Sequence, residues 1–258
     1  MSMNPAIDDW GDRYVWIIGA SSGIGAATAR LLRARGARVA LSSRRQDALD
    51  ALAGQEQERV MAVTLDVTDH ATIAQAHRRI LARWPRIDLV LVVAGGYSAM
   101  RADSFDLAAA NRLLDLNLRG VFNCLDVVLP MLLGQGSGAI GIVSSVAGYS
   151  GLPKALAYGP TKAALINLCE SLYFDLHPKR IGVYLINPGF VATPLTTGND
   201  FAMPGLMTPA AAAEALVRGI ERGAFHIHFP KTFTNTLRLA RLLPYRVYFW
   251  LIAKVTRL

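Results

Sequence analysis

The sequence predicts a doubly wound, three-layer α/β fold built on a parallel sheet of about seven strands, with a helical extension at its C-terminus. Three observations predict it. Seven short apolar runs alternate with longer stretches of helical periodicity, the pattern of β–α–β units whose strands are covered on both faces. A glycine-rich turn follows the first run and opens a helix, where missing side chains let the backbone approach other groups closely. The 258 residues, 52% of them hydrophobic, supply a sizeable core, with no internal repeat, Pro/Ser-rich linker or low-complexity segment. Residues 1–230 are expected to form one domain, and 231–258 an extension.

The elements follow in order. Residues 14–18 read as a buried strand, Gly19-Ala-Ser-Ser-Gly23-Ile-Gly25 as the turn, and 26–35 as a helix. A strand, a glycine turn and a helix start suit a dinucleotide pyrophosphate, because free N–H groups and the helix dipole favour negative charge. A tight turn of small residues without a ligand is the plainer alternative. Further strands are expected at 38–41, 60–64, 89–93, 139–143, 182–186 and 225–228. The pair Gly159-Pro160 marks a helix start, since proline is tolerated in a first turn. Ala163 to Leu176 then carries a long apolar face for core or subunit packing.

Tyr158 and Lys162 are four residues apart on that helix and share one face. Ser145 lies thirteen residues before Tyr158. A tyrosine ionises near pH ~10, and an ammonium one turn away favours the phenolate. A shift of two or three units corresponds to roughly 3–4 kcal/mol. A nearby hydroxyl can orient the oxygen that exchanges the proton. Alone, the pair reads as an ordinary helix contact, since Tyr-x-x-x-Lys occurs by chance in many proteins.

Several further motifs stand in a fixed order: Gly19–Gly25, Asp66, Ala94-Gly95, Asn117, Ser144-Ser145, Tyr158/Lys162 and Asn187-Pro-Gly-Phe-Val-Ala-Thr193. With them the chain resembles the short-chain dehydrogenase/reductase family over roughly residues 12 to 230. The resemblance implies a Rossmann-type fold and an oxidoreductase that interconverts a ketone or aldehyde and an alcohol. It implies Tyr158 as the acid or base, Ser145 (rather than Ser144) on the substrate oxygen, Lys162 lowering the tyrosine pKa and holding the nicotinamide ribose, and Asn117 anchoring a water. Gly19, Ser21, Ser22, Gly23, Ile24 and Gly25 would hold the phosphates, Asp66 and Val67 the adenine, and Ala94 and Gly95 would pass close to the cofactor. Pro188, Gly189, Val191 and Thr193 would close over the nicotinamide end. The chain departs from the family at Val92-Val93, where two asparagines are usual, and at Ile18, where threonine is usual. Repacking rather than loss of the site is expected there.

After the second strand stands Ser43, with no carboxylate to accept from a ribose 2′-hydroxyl. Arg44 can pair with a 2′-phosphate, so NADP(H) is expected over NAD(H), with Arg44-Arg45 as a solvated loop pair the alternative. Tyr97, Met100, Val146, Tyr149, Leu152 and the loop 195–207, with Phe201, Met203, Leu206 and Met207 as a lid, point to a hydrophobic substrate.

Of the 27 basic residues, seven follow the last acidic one, Glu221, leaving 20 against 19 acidic residues in the body. The net charge of +8 therefore belongs to the tail and is no argument for nucleic-acid binding. Arg246, Lys254 and Arg257 share about 80° of a helical projection, opposite Tyr248, Phe249, Leu251, Ile252 and Val255. Such a basic amphipathic helix lies on an anionic membrane, covers a partner subunit, or packs on the active-site mouth. Asp8, Asp9 and Asp12 with no apolar run argue against a signal peptide. No uninterrupted apolar stretch suggests a spanning helix, and the scattered histidines suggest no metal site. Cys124 and Cys169 are expected as buried thiols. The expected setting is a cytoplasmic homodimer or homotetramer, at most peripheral at the inner membrane surface. A non-catalytic dinucleotide sensor and a membrane-associated interaction protein are the competing classes.

Overall fold

The computed structural model describes residues 2–54, 58–198 and 202–256. Seven parallel strands run β1 (Tyr14–Ile18), β2 (Arg38–Ser42), β3 (Val60–Ala62), β4 (Leu89–Val92), β5 (Ala139–Val143), β6 (Gly182–Pro188) and β7 (His226–Phe229). Their order across the sheet is β3-β2-β1-β4-β5-β6-β7. The chain reverses its direction of travel between β1 and β4, and a crevice opens there at the strand C-termini. The strand periodicity of two sends alternate residues of β1 to opposite faces. Trp16 and Ile18 join one core with Val90, Val92 and the helices α3 (His70–Leu81), α5 (Gly120–Gln135) and α6 (Tyr158–Leu176). Val15 and Ile17 join the other, with Leu89, Leu91, α1 (Gly23–Ala34), α2 (Gln46–Ala53) and α7 (Pro209–Glu221). The doubly wound expectation is met. The third strand stops at Ala62, two residues short of the expected bound, although Val63 and Leu65 still donate to Leu41 and Ser43 carbonyls.

The starts of the inner strands are tied by polar side chains. Buried Asp88 accepts from the Tyr14 N–H at 2.9 Å and from Arg86 at 2.7 Å, fixing β4 beside β1. Asn4 bonds both the N–H and the carbonyl of Val183. Cys124 and Cys169 are free and buried, with burial pushing each thiol up to about 12.

Helix α4 (Leu107–Leu114) runs through a π-helical turn, Asp115–Arg119, into α5. This run, Leu107–Gln135, is long and apolar enough to cross a membrane by length and composition alone, a feature the interrupted apolar pattern did not suggest. Its apolar side is explained by packing: Val121, Cys124, Leu125, Val128 and Leu132 enter the core. Beyond β7 the chain forms α8 (Lys231–Ala240) and α9 (Tyr245–Thr256), which return over the crevice.

Candidate active site

The glycine turn is shaped by a close approach of two strand ends. Gly19 has φ +98°, and a Cβ there would lie 2.5 Å from the Ala94 nitrogen. A Cβ on Gly25 would lie 2.2 Å from the Gly19 carbonyl oxygen. Helix α1 accordingly starts at Gly23, three residues before the expected start, with Ser22 extended at its N-cap. No side chain caps those first N–H groups and no acidic residue stands in the first turn, so the helix end is free to receive an anion.

A cavity of about 1390 Å³ extends from this turn. One end holds Ser21, Ser43, Arg44, Arg45 and Asp66. Arg44 is 71% exposed at its side chain and stands 3.9 Å from Asp66. Arg45, read from the sequence only as a solvated neighbour, is the arginine that reaches the turn: it donates to the Ser21 carbonyl at 3.2 Å and to Ser21 Oγ at 3.1 Å. Ser43 Oγ accepts from the Arg45 N–H. The sequence signal for Arg45 was its place two residues after Ser43; only the loop path decides which of two adjacent arginines turns inward. Asp66 also closes its own turn, accepting from Thr68 N–H and Oγ1. Gly23, Ile24, Val67, Ala94, Gly95, Pro188, Gly189, Val191 and Thr193 line the middle of the cavity, whereas Gly25 serves the turn's backbone and does not reach the surface. The Thr193 methyl lies over Gly23, 2.9 Å from where a Cβ would sit.

At the far end Ser145, Tyr158 and Lys162 meet. Tyr158 is the first residue of α6, as Gly159-Pro160 suggested. It hydrogen-bonds Ser145, and the Lys162 Nζ lies 5.7 Å from the centre of its ring. Ser144 is committed elsewhere, donating to the Lys162 carbonyl at 2.7 Å, which leaves Ser145 as the hydroxyl facing the cavity. Tyr97 packs edge-on against Tyr158 at 5.1 Å, a contact the sequence did not indicate.

The expectation that Lys162 lowers the tyrosine is not met among the protein's own groups. Burial pushes the Tyr158 phenol up to about 12, against the opposing Ser145 bond and aided by Tyr97. Burial likewise pulls Lys162 down to about 8. Tyr158 keeps some accessible surface, yet desolvation outweighs the pull of an ammonium that bonds the Val143 carbonyl at 3.0 Å instead.

Asn117 is fully buried inside the π turn. Its Oδ1 accepts from Gly96 N–H at 2.7 Å, and its Nδ2 donates to the Gly96 carbonyl at 3.0 Å and to Thr161 Oγ1 at 3.2 Å. The side chain therefore clamps the segment after β4 onto α6, and it does not line the cavity. π turns inside α-helices occur frequently at functional sites. Among the described residues no His, Cys, Asp or Glu group could hold a metal ion.

The short chain dehydrogenase profile matches residues 13–202. The chain belongs to this family. It is 36% identical over 235 residues to an uncharacterized oxidoreductase of Myxococcus xanthus, covering 90% of this chain and 93% of that one. It is 36% identical over 191 residues to the cis-4-hydroxycyclohexanecarboxylate dehydrogenase of Sinomonas cyclohexanicum, covering 72% and 76%. Its fold is that of a Burkholderia cenocepacia short chain dehydrogenase crystallised with NADP, with a TM-score of 0.82 at 24% identity over 98% of this chain and 99% of that chain. The protein is thus an oxidoreductase of this family, acting on the CH–OH/C=O couple.

Where this short-chain dehydrogenase departs from family habit, the backbone carries the join. The Ile18 carbonyl accepts from both Val93 and Ala94 N–H groups, at 2.8 and 2.9 Å, while the Ile18 and Val92 side chains are buried in the core. Of the expected substrate-side residues, Tyr97, Val146, Leu152, Leu195 and Met203 line the cavity. Met100, Tyr149, Leu206 and Met207 do not. Met100 pairs with Ala155, Met207 pairs with Val191, and Tyr149 turns to His226 at 2.9 Å. Phe201 lies outside the described residues. The wall that sequence reasoning missed is Phe190 with the tail residues Phe233, Leu237 and Ile252. Of the three places open to the tail, its inner face takes the active-site mouth. Arg101 and Lys154 also stand on this rim, two cations the sequence reading did not place there.

Proposed function

We propose that the protein is an NADP(H)-dependent carbonyl reductase or alcohol dehydrogenase for hydrophobic substrates, with Tyr158 as its acid or base. The observation that carries this is one continuous cavity, with the Ser21–Ser43–Arg44–Arg45 cluster at one end and Ser145, Tyr158 and Lys162 at the other. The residues fit a dinucleotide: the turn's glycines are free of Cβ atoms where the walls converge, and the uncapped start of α1 faces the cavity midway. The bound cofactor supplies or accepts the hydride at its nicotinamide. The chain's own groups handle the proton. The protonated phenol of Tyr158 donates to a carbonyl oxygen, and Ser145 Oγ hydrogen-bonds that same oxygen. Lys162, between Gly95 and the tyrosine ring, supplies positive charge as the phenolate forms. Ser21, Arg44 and Arg45 would hold a 2′-phosphate, with Arg45 the principal partner. Exposed Leu107, Leu114, Phe122 and Leu133 along the α4–α5 run support a homodimer or homotetramer through that surface.

The test compares NADPH and NADH consumption with apolar ketones, including some that bear a remote carboxylate for Arg101 and Lys154. NADPH is expected to be preferred. Arg45→Ala should raise its KM roughly tenfold to a hundredfold, the worth of charge-assisted hydrogen bonds, while NADH kinetics stay put. An enzyme preferring NADH, or one indifferent to both Arg44→Ala and Arg45→Ala, overturns the cofactor assignment. Turnover confined to small charged keto acids overturns the substrate class.

A further inference from the structure

Helices α8 and α9 present two apolar faces, and the domain covers one of them. Inward, Phe233, Leu237 and Ile252 line the substrate end of the cavity, and buried Tyr248 donates to the Gly151 carbonyl at 2.8 Å. Outward, Leu239, Leu242, Tyr245, Phe249 and Trp250 are 60–79% exposed. Large apolar groups crowded into one short stretch of surface mark an interaction site.

The charges around them say what kind of surface fits. Arg246, Trp250 and Lys254 are spaced four apart and form one row on α9, about half a turn from Tyr248 and Ile252. The Lys254 ammonium sits 5.0 Å from the Trp250 ring centre. Arg241 adds a further exposed cation at the α8–α9 turn. No acidic residue follows Glu221, so the tail has no acidic side chain to neutralise them. Exposed aromatics flanked by cations match a lipid interface, where rings sit at headgroup level and basic residues meet anionic headgroups. A second copy docked through the same face would set each cation against its like.

We propose that the outer face of α8–α9 docks on an anionic lipid surface, holding the substrate end of the cleft against it so that apolar substrates enter from the lipid. The entry clause rests on the hydrophobic-substrate reading above; the docking clause does not.

The test is co-sedimentation of the full-length protein with phosphatidylglycerol-containing vesicles and with phosphatidylcholine vesicles. Binding to the anionic vesicles is expected, weakening as salt rises. Trp250→Glu and Arg246→Glu should each reduce that binding roughly tenfold. Both lie away from the cavity, so turnover of a water-soluble ketone should stay at the wild-type value, which also shows that the variants fold. Absence of binding to anionic vesicles, or variants that bind them as well as the wild type does, overturns the proposal. So does a dimer in solution that Trp250→Glu dissolves in a protein that ignores vesicles. Failure of the enzymatic reading shows separately, as vesicle binding without turnover.

Discussion

Burial shifts Tyr158 and Lys162 each toward the neutral form, and this sets both chemistry and stability. A phenol at about 12 is protonated at neutral pH and so is poised as an acid toward a carbonyl oxygen. Tyr158→Phe removes that proton and should lower kcat about 10²–10⁴-fold with little change in NADPH affinity, as measured by turnover beside fluorescence titration. Lys162 gives a linkage prediction. Its folded pKa, about 8, lies below the ordinary 10.5, so the unfolded chain binds more protons between those values and stability rises with pH there. The contribution is fully present above about 10.5 and is lost as pH falls through about 8. Relative to Lys162→Met, the wild type should therefore gain on the order of 3 kcal/mol between pH ~8 and ~10.5. Urea melts of both proteins across that window check it; a constant difference refutes the assignment.

The elements show which parts of the site a linear sequence can carry. The glycine turn, the alternation of strands with helices and the four-residue spacing of Tyr158 and Lys162 were legible because each depends on local backbone geometry. Which of Arg44 and Arg45 turns inward was not legible, because it depends on the path of a loop packed against a distant turn. The π turn at Asn117 was also hidden: Asp-Leu-Asn-Leu-Arg continues the apolar period of α4, and only contact with Gly96 and Thr161 gives Asn117 its work. Two of its three hydrogen bonds go to one backbone unit. Asn117→Ala leaves the Gly96 N–H and carbonyl without partners and should cost roughly 1–3 kcal/mol, read as a lower denaturation midpoint with an unchanged m-value. Thr161→Val loses the Nδ2 bond from Asn117 and its own donation to the Tyr158 carbonyl at 2.7 Å, but leaves the Gly96 backbone paired and should cost less. Equal costs for the two would mean that the clamp on Gly96 does not hold the segment.

At the scale of the whole molecule, the catalytic end of the cavity is completed by a segment far from it in sequence. An amphipathic pattern reports that a helix has an apolar side, not what will cover it, so the tail's three destinations stayed open until Phe233, Leu237 and Ile252 were seen lining the cavity. The clasp is thin. Among the described residues of α9 only Tyr248 is fully buried, and its hydroxyl bonds the Gly151 carbonyl on the opposite rim. Elements with few buried contacts open before the rest of a fold. Tyr248→Phe removes a hydroxyl that bonds the Gly151 carbonyl and Ser150, at roughly 0.5–1.5 kcal/mol per hydrogen bond, and should raise the open fraction of the tail at least about two- to tenfold. Trypsin, attacking the exposed Arg241 and Arg246, should then cut the tail faster by the same factor, with the sheet domain left intact. Substrate binding should weaken for bulky ketones that touch the tail wall and hold for small ones that reach only Tyr97 and Tyr158, a rise in KM with kcat preserved. If trypsin cuts the variant and the wild type at one rate, or small and bulky ketones lose affinity alike, then α9 does not close the cleft through Tyr248.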